Sequence, residues 1–555
     1  MGLLLLLSWL TPLLAALLTF LPNSRWPLLL APFPALLTAL LVTGESQMNL
    51  PWLLLGAQFG LDGNTRIFLL FSALLWFVAA LQTGSSLADA PRGGRFRLFY
   101  LLAMAGNFWL IVAQDMVNFY LGFSLMGLAA YGLVIHDGKP ASLHAGRVYL
   151  AMTLVAETAL FAALLMIFQH TASLIPNPSQ LMGLSDWTIG LLVFGLGIKA
   201  GLVPVHVWLP LAHPAAPVPA SAVLSGSMIK AALIGWLKFL PLGQQASWEW
   251  GQLLMGLGSL TLLYALIVGL SQTNPKVVLA YSSVSKMGLM TAILGLALAQ
   301  PELAPTMLTA MVFYAALHGL AKGALFLGVG VSRTTTAAWI LPVLTLPAMV
   351  LAGAPFTAGA LTKTLLDSPL AALEGSLAIL FPLLLILSSL GTTLLLGRFL
   401  ILMAAEPRNG TRVNAPITLP WLFLIGLLLG MPWVVKDPFP AITGSWPMAL
   451  GALLVLIMAL SRWRWAARLA GRIPAGDILA PTLRLFETGG LWITQAMQGP
   501  AIWKTSLHRM LTQRNKTSTP AWPPVMEQTL SAWPVAGLSV LLTAVALFVL
   551  LGMPG

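Results

Sequence analysis

Six basic side chains stand inside long apolar stretches of this sequence: Lys199 in "GIKAGLVPVHVWLP", Lys230 in "SGSMIKAALIGW", Lys286 in "YSSVSKMGL", His318 and Lys322 in "ALHGLAKGALFLG", and Lys363 in "GALTKTLL". Glu157, in "TLVAETALF", is the carboxylate that sits clearly inside such a stretch. A charge at the centre of a bilayer costs at least about 2.5–3.5 kcal/mol on insertion scales, so a chain keeps one where it is paired, hydrated or used. The chemistry open to these groups is proton exchange, because desolvation favours the neutral amine and a nearby carboxylate favours the ammonium. His318 and Lys322 are four residues apart and share a helix face, which suits either a relay or, for the histidine, a structural hydrogen bond. Lys286 lies close to the polar "SQTNPK" and reads either as a path residue or as a side chain reaching the interface, as Lys238 does. The stretch "VPVHVWLPLAHPAAPVPASAVLSG" carries His206 and His213 between the runs bearing Lys199 and Lys230, and Pro204 and Pro210 are expected to interrupt the helix there. It reads as a loop or as irregular backbone at membrane depth, which survives only inside protein or beside a water-filled cavity.

The elements that must position these groups are set by composition. Of 555 residues 58% are hydrophobic and 8% charged, which predicts an all-α polytopic membrane protein. The uninterrupted runs exclude a barrel, whose strands would alternate. Expected spans lie near 2–20, 26–43, 66–83, 97–114, 117–136, 147–168, 187–205, 217–240, 250–271, 279–298, 303–330, 338–366, 371–404, 417–435, 446–460 and 529–551. The first run lacks a basic flank and a cleavage site and is read as a retained span. Arg462, Arg464, Arg468 and Arg472 open a segment, 462–528, whose amphipathic character predicts a surface location before a last anchor. Two sets of five spans, 97–240 and 250–404, have the same plan, each with its fourth span interrupted, flanked by N-terminal helices at 1–96 and C-terminal helices at 405–555. Lys199 precedes the first break and Lys363 follows the second, the order expected of an inverted repeat.

Other chemistries find no support. There is no cysteine, hence no disulfide, thiolate ligand or iron–sulfur cluster. No phosphate loop, dinucleotide fingerprint or nucleophile elbow is present, and the histidines lack zinc-site spacing, so neither cofactor nor metal is expected. The net charge of +12 fits basic loops on one side of a membrane better than a nucleic-acid partner.

The stretch "VPVHVWLPLAHPAAPVPASAVLSGSMIK" resembles the signature of the antiporter-like subunits of respiratory complex I and of Mrp-type cation/proton antiporters. "YSSVSKMG", "GAPFTAGALTK" and "LDGNTRIFLL" around Asp62 are similar to further family motifs, and the likeness runs from about residue 60 to 404. The resemblance implies a proton-translocating module without cofactors, built from two inverted five-helix repeats. It places Lys199 and Lys230 in a first half-channel, His318 and Lys322 at the connection and Lys363 in a second. Two departures stand out: Ser124 occupies the place of the family's fifth-helix glutamate, for which Glu157 is the substitute counter-ion, and Lys286 replaces a neutral glutamine.

The function expected is proton movement, in exchange for Na⁺ or another cation, by a subunit of a hetero-oligomeric complex in a bacterial inner membrane. No catalytic chemistry is expected in the chain itself. The alternative is a membrane subunit of an energy-converting redox complex, such as a complex I or membrane hydrogenase relative, or of an energy-coupled inorganic-carbon uptake complex. A purely structural scaffold is the third reading.

Overall fold

In hydrocarbon every backbone polar group must be satisfied within its own segment, so the apolar runs of this chain become helices. The computed structural model describes residues 1–20, 26–42, 46–86, 92–407, 413–434, 445–460, 473–476 and 478. All the helices named below belong to one compact unit, Met1–Asn49 with Ala57–Gly476; of a second unit, the described part is essentially the turn Leu50–Gly56. The arginines at 462, 464, 468 and 472 and the apolar run 529–551 lie outside the described residues.

Three short helices begin the chain, α1 (Gly2–Leu17), α2 (Trp26–Leu30) and α3 (Phe33–Leu41), followed by α4 (Gly63–Ser86). The first set of five spans is α5 (Gly93–Val112), α6 (Met116–Val134), α7 (Pro140–Thr171), the broken α8 (Asp186–Ala200) and α9 (Trp208–Ala215), and the kinked α10 (Val218–Gly226) and α11 (Ala231–Phe239). The second set is α12 (Trp248–Leu270), α13 (Pro275–Ala299), α14 (Ala304–Thr334), the broken α15 (Ile340–Ala352) and α16 (Ala358–Ala371), and α17 (Leu377–Ala405). Helices α18 (Ala415–Val434) and α19 (Trp446–Leu460) follow. Among the described residues ten helices, α10 and α11 counted together, are long and apolar enough to cross a membrane. Each expected run up to residue 460 is met by a helix or a broken helix. Five crossings are an odd number, so the second set starts at the face opposite the first and is inverted relative to it. A two-stranded hairpin, β1 (Ser46–Leu50) and β2 (Ala57–Leu61), is an element the apolar pattern did not predict.

Both breaks have one construction. Gly201, at φ +77°, ends α8 and Gly353, at φ +80°, ends α15, each in the left-handed conformation that only glycine adopts without cost. The amide of Leu202 donates to Gly197 O at 2.9 Å and that of Ala354 to Met349 O at 3.0 Å, while the two glycine amides close onto Ile198 O and Val350 O. This paired closure satisfies the last carbonyls of each half-helix before a proline, Pro204 or Pro355, stops the chain from continuing. Pro210 does not break anything: it sits in the first turn of α9, where its missing N–H has no intrahelical acceptor to lose.

The ends of the bundle differ in charge. Arg92, Arg95, Arg97, Lys139, Arg147, Lys276 and Arg333 mark one end, where the start of α5 meets the end of α6 through Arg92 to His136 O. Asp62, Asp115, Asp186, Glu249, Glu302, Asp367 and Glu374 mark the other, with Arg66 and Lys238. There Trp250 donates to Asp186 at 2.8 Å, and Asp115 caps α6 by accepting from Asn118 N at 2.8 Å. Among the described residues, the acids at the basic end are each paired, Asp137 with Lys139 and Glu406 with Arg333.

Candidate functional site

Lys199 is the next-to-last residue of α8, so the break leaves its side chain at the turn where α6, α7 and α9 converge. Its Nζ donates to Tyr149 Oη at 3.4 Å and lies 5.7–5.9 Å from the ring centres of Phe123, Tyr149 and Trp208. Such rings attract a cation through their electron-rich faces without neutralising it. Tyr149 Oη in turn donates a hydrogen bond to Gly127 O at 2.9 Å, and Trp208 Nε1 donates across the break to Ile198 O at 2.7 Å. Tyr149, Thr153 and Glu157 recur every four residues and form one stripe of α7. Glu157 is 6% exposed, and its carboxylate lies within electrostatic reach of Lys199 and Ser124. No direct ion pair within 4 Å joins Glu157 and Lys199; both reach the point where a β-carbon on Gly127 would stand, 2.7 Å from Oε1 and 3.9 Å from Nζ.

The centre is built by the kink between α10 and α11. One 3₁₀ turn, Met228–Lys230, leaves the Ser225 carbonyl without its helical partner, and Lys230 Nζ takes it at 2.6 Å. Ser225 Oγ pairs with Ser283 Oγ at 2.8 Å, and Ser283 Oγ donates to Leu279 O at 3.1 Å. Lys322 Nζ donates to that same carbonyl at 3.0 Å and also to Ser282 Oγ. Lys230 and Lys322, fully buried, are thus bridged by two serines and one carbonyl of α13. His318 is buried beside them with neither ring nitrogen bonded among the described residues, and it makes no hydrogen bond to Lys322. His206, in the turn between α8 and α9, packs its ring 5.4 Å from Tyr264 and 6.0 Å from Tyr281.

In the second set Lys286 does not reach an interface. It is 4% exposed, donates to Ser388 Oγ at 2.7 Å and lies 5.7 Å from the Tyr314 ring. Lys363 donates to Ser389 Oγ at 3.0 Å, and Ser389 donates to Ala352 O, the last carbonyl before the break, at 2.9 Å. A cavity of about 30 Å³ separates the two lysines, lined also by Tyr314, Thr362 and both serines. That is room for about two waters.

The sequence reading named every lysine of this row but not the groups that hold them. Tyr149, Trp208, Ser225, Ser283 and the Ser388–Ser389 pair went unnamed, as did Lys276, a buried lysine at the start of α13. One signal was present: "SLMGL" at 124–128 is echoed by "SKMGL" at 285–289, placing Lys286 where α6 has Leu125.

A mostly helical polytopic membrane protein with a row of buried lysines between two broken helices is the class this architecture defines. The chain belongs to the family described as NADH:quinone oxidoreductase/Mrp antiporter, TM, whose model matches residues 113–391 and so includes every residue of the row. It is 35% identical over 256 residues to Hydrogenase-4 component B of Escherichia coli (strain K12), a match covering 42% of this chain and 36% of that protein. It is 28% identical over 263 residues to NADH-quinone oxidoreductase subunit M of the same strain, covering 44% and 51%. The chain thus spans about a third to a half of the length of these relatives. In fold it is similar to the structure of the Mrp complex from Dietzia sp. DQ12-45-1b, with a TM-score of 0.71 at 19% identity over 92% of this chain and 62% of that one.

Proposed function

We propose that the chain is a proton-translocating subunit of a multi-subunit, Mrp-type cation/proton antiporter in a bacterial inner membrane. The observation that carries this reading is the row itself: Lys199, Lys230, Lys322, Lys286 and Lys363 are each held by hydroxyls or carbonyls rather than by a direct carboxylate, between two glycine-capped helix breaks. A lysine held by neutral acceptors keeps its place whether charged or not, so it can gain and lose a proton without losing its site. Glu157 favours charge at Lys199, the bridged pair Lys230 and Lys322 with His318 passes the proton between halves, and His206 lines the first break. The cavity at Lys286 and Lys363 supplies water at the far side. A row of ammonium groups repels metal cations, so exchange for Na⁺ is a property of the assembled complex, with other membrane subunits as partners. The basic end, with Lys139, Arg147 and Arg333, is cytoplasmic by the positive-inside rule. The two five-span sets, 97–240 and 250–404, are the two half-channels.

A second reading, a membrane subunit of an energy-converting redox complex, is favoured by the identity to Hydrogenase-4 component B. The test is proton flux driven by a pH gradient in vesicles containing the whole complex, with and without Na⁺. Lys199→Ala and Lys363→Ala should each abolish flux at normal assembly. Flux accelerated by Na⁺ supports the antiporter, whereas flux that answers only to electron donors supports the redox complex. Wild-type flux in both variants would overturn both.

A further inference from the structure

A buried polar cluster stands beside the row without belonging to it: Ser72 and Trp76 on α4, Asn107 on α5, and Ser227 at the kink between α10 and α11. Trp76 Nε1 lies 2.9 Å from Asn107 Oδ1, and an indole nitrogen only donates, so the oxygen of the amide faces this side. Ser227 Oγ lies 2.6 Å from the same oxygen and 2.7 Å from Ser72 Oγ. A hydroxyl has one proton and Oδ1 only accepts, so Ser227 donates to Asn107 and accepts from Ser72. Apolar side chains would fill this space without the cost of burying polar groups. A satisfied network repays that cost by fixing one geometry.

What the network fixes is the kink. Ser227 has φ −116° and ψ −54°, away from ordinary helical angles, and its carbonyl accepts from Lys230 N at 3.0 Å, three residues on. In an uninterrupted α-helix the amide of Ile229 would take the Ser225 carbonyl. The turn releases that carbonyl, and Lys230 Nζ occupies it. A β-carbon on Gly226 would stand 2.7 Å from Gly319 O, so the kink lies against the backbone of α14 one residue beyond His318. There is no room for it to shift that way.

We infer that Asn107 and Ser227 are positioning residues for Lys230, the hydrogen bond between them holding the turn that frees the Ser225 carbonyl for the lysine. This rests on the proton-translocating reading above and deepens it. Neither side chain handles the proton; each acts through the backbone of the kink. Without the bond α10 and α11 relax toward one continuous helix, and Ile229 N takes the Ser225 carbonyl. Lys230 then loses the acceptor that links it, through Ser225 and Ser283, to the carbonyl shared with Lys322. Helix α4, outside both five-span sets, thereby shares in the pathway, because Ser72 and Trp76 orient the pair.

Asn107→Leu removes the acceptor at similar volume, Ser227→Ala removes the donor, and Ser227→Thr keeps it. In the whole complex in vesicles, Asn107→Leu and Ser227→Ala should each slow pH-gradient-driven flux at least fivefold at normal assembly. Ser227→Thr should stay within twofold of wild type. The double variant should be no slower than the slower single one, since both remove the same bond. The pH profile of flux should also move, because Lys230 changes its acceptor, whereas lost stability alone lowers flux at every pH alike. Losses under fivefold in both single variants, a Ser227→Thr as slow as Ser227→Ala, losses that multiply in the double variant, or an unmoved pH profile would each overturn the positioning role. With Lys199→Ala dead in the same assay, the main reading would still stand. If Lys199→Ala conducts normally, the main reading itself has failed. Should Asn107→Leu not assemble, Ser227→Ala and Ser227→Thr decide by the same criteria.

Discussion

Replacing Glu157 by glutamine preserves the shape of α7 and removes the carboxylate beside Lys199. A β-carbon on Gly127 would lie 2.7 Å from Glu157 Oε1 and 3.9 Å from Lys199 Nζ, which bounds the separation of the two charges at about 6.6 Å. At an effective dielectric of ~20, unit charges about 6.6 Å apart attract by about 2.5 kcal/mol, and by about 4 kcal/mol at the 4 Å limit of a direct pair. Placing a proton on Lys199 becomes harder by that amount, and about 2.5 kcal/mol is roughly 70-fold in a rate limited by this step. Glutamine retains an amide dipole, so a loss of roughly 10- to 70-fold is the expectation. The assay is the decay of an imposed pH gradient, read with an internal pH-sensitive dye, in vesicles of the whole complex. Because the pair is buried, the loss should persist at high salt, unlike that of a surface pair. Flux within twofold of wild type, with the complex intact, would refute the assignment of Glu157 as counter-ion.

Further predictions concern the groups that hold the lysines. Ser389→Ala removes an acceptor of Lys363 and leaves Ala352 O unpaired, so melting temperature in detergent should fall by the equivalent of about 1–3 kcal/mol and flux should fall with it. Gly359→Ala would place a carbon 1.8 Å from Val350 O, a backbone atom; size-exclusion chromatography of solubilised membranes should show no assembled complex. Trp208→Phe keeps a ring near Lys199 but loses the bond to Ile198 O, costing about 1 kcal/mol and slowing flux about fivefold, whereas Trp208→Leu should slow it further.

Much of the fold was legible because lipid demands self-satisfied helices, and that demand writes itself as apolar runs. The breaks were legible where glycine and proline coincide, at Gly201–Pro204 and Gly353–Pro355, and misread at Pro210, which helix N-termini tolerate. The lysines could be named because charge is costly in such runs. Their partners could not, since Lys322 is held by Ser282 of α13 and Lys286 by Ser388 of α17, and a serine in an apolar helix looks the same whether or not a distant lysine uses it. Lys276 was hidden by its polar neighbours "SQTN", which read as a loop although the chain buries its ammonium under α9. The hairpin β1–β2 escaped because two five-residue strands carry too little pattern to stand out beside longer spans.

The central claim is that the bridged pair Lys230 and Lys322 carries protons between the two halves. Lys322→Met tests it most directly, since methionine fills similar space while removing the donor to Leu279 O and Ser282. In vesicles of the intact complex the pH-gradient-driven flux should drop to less than about a tenth of wild type, the loss of a required proton carrier being worth more than one decade. Wild-type flux through an assembled Lys322→Met complex would contradict the account.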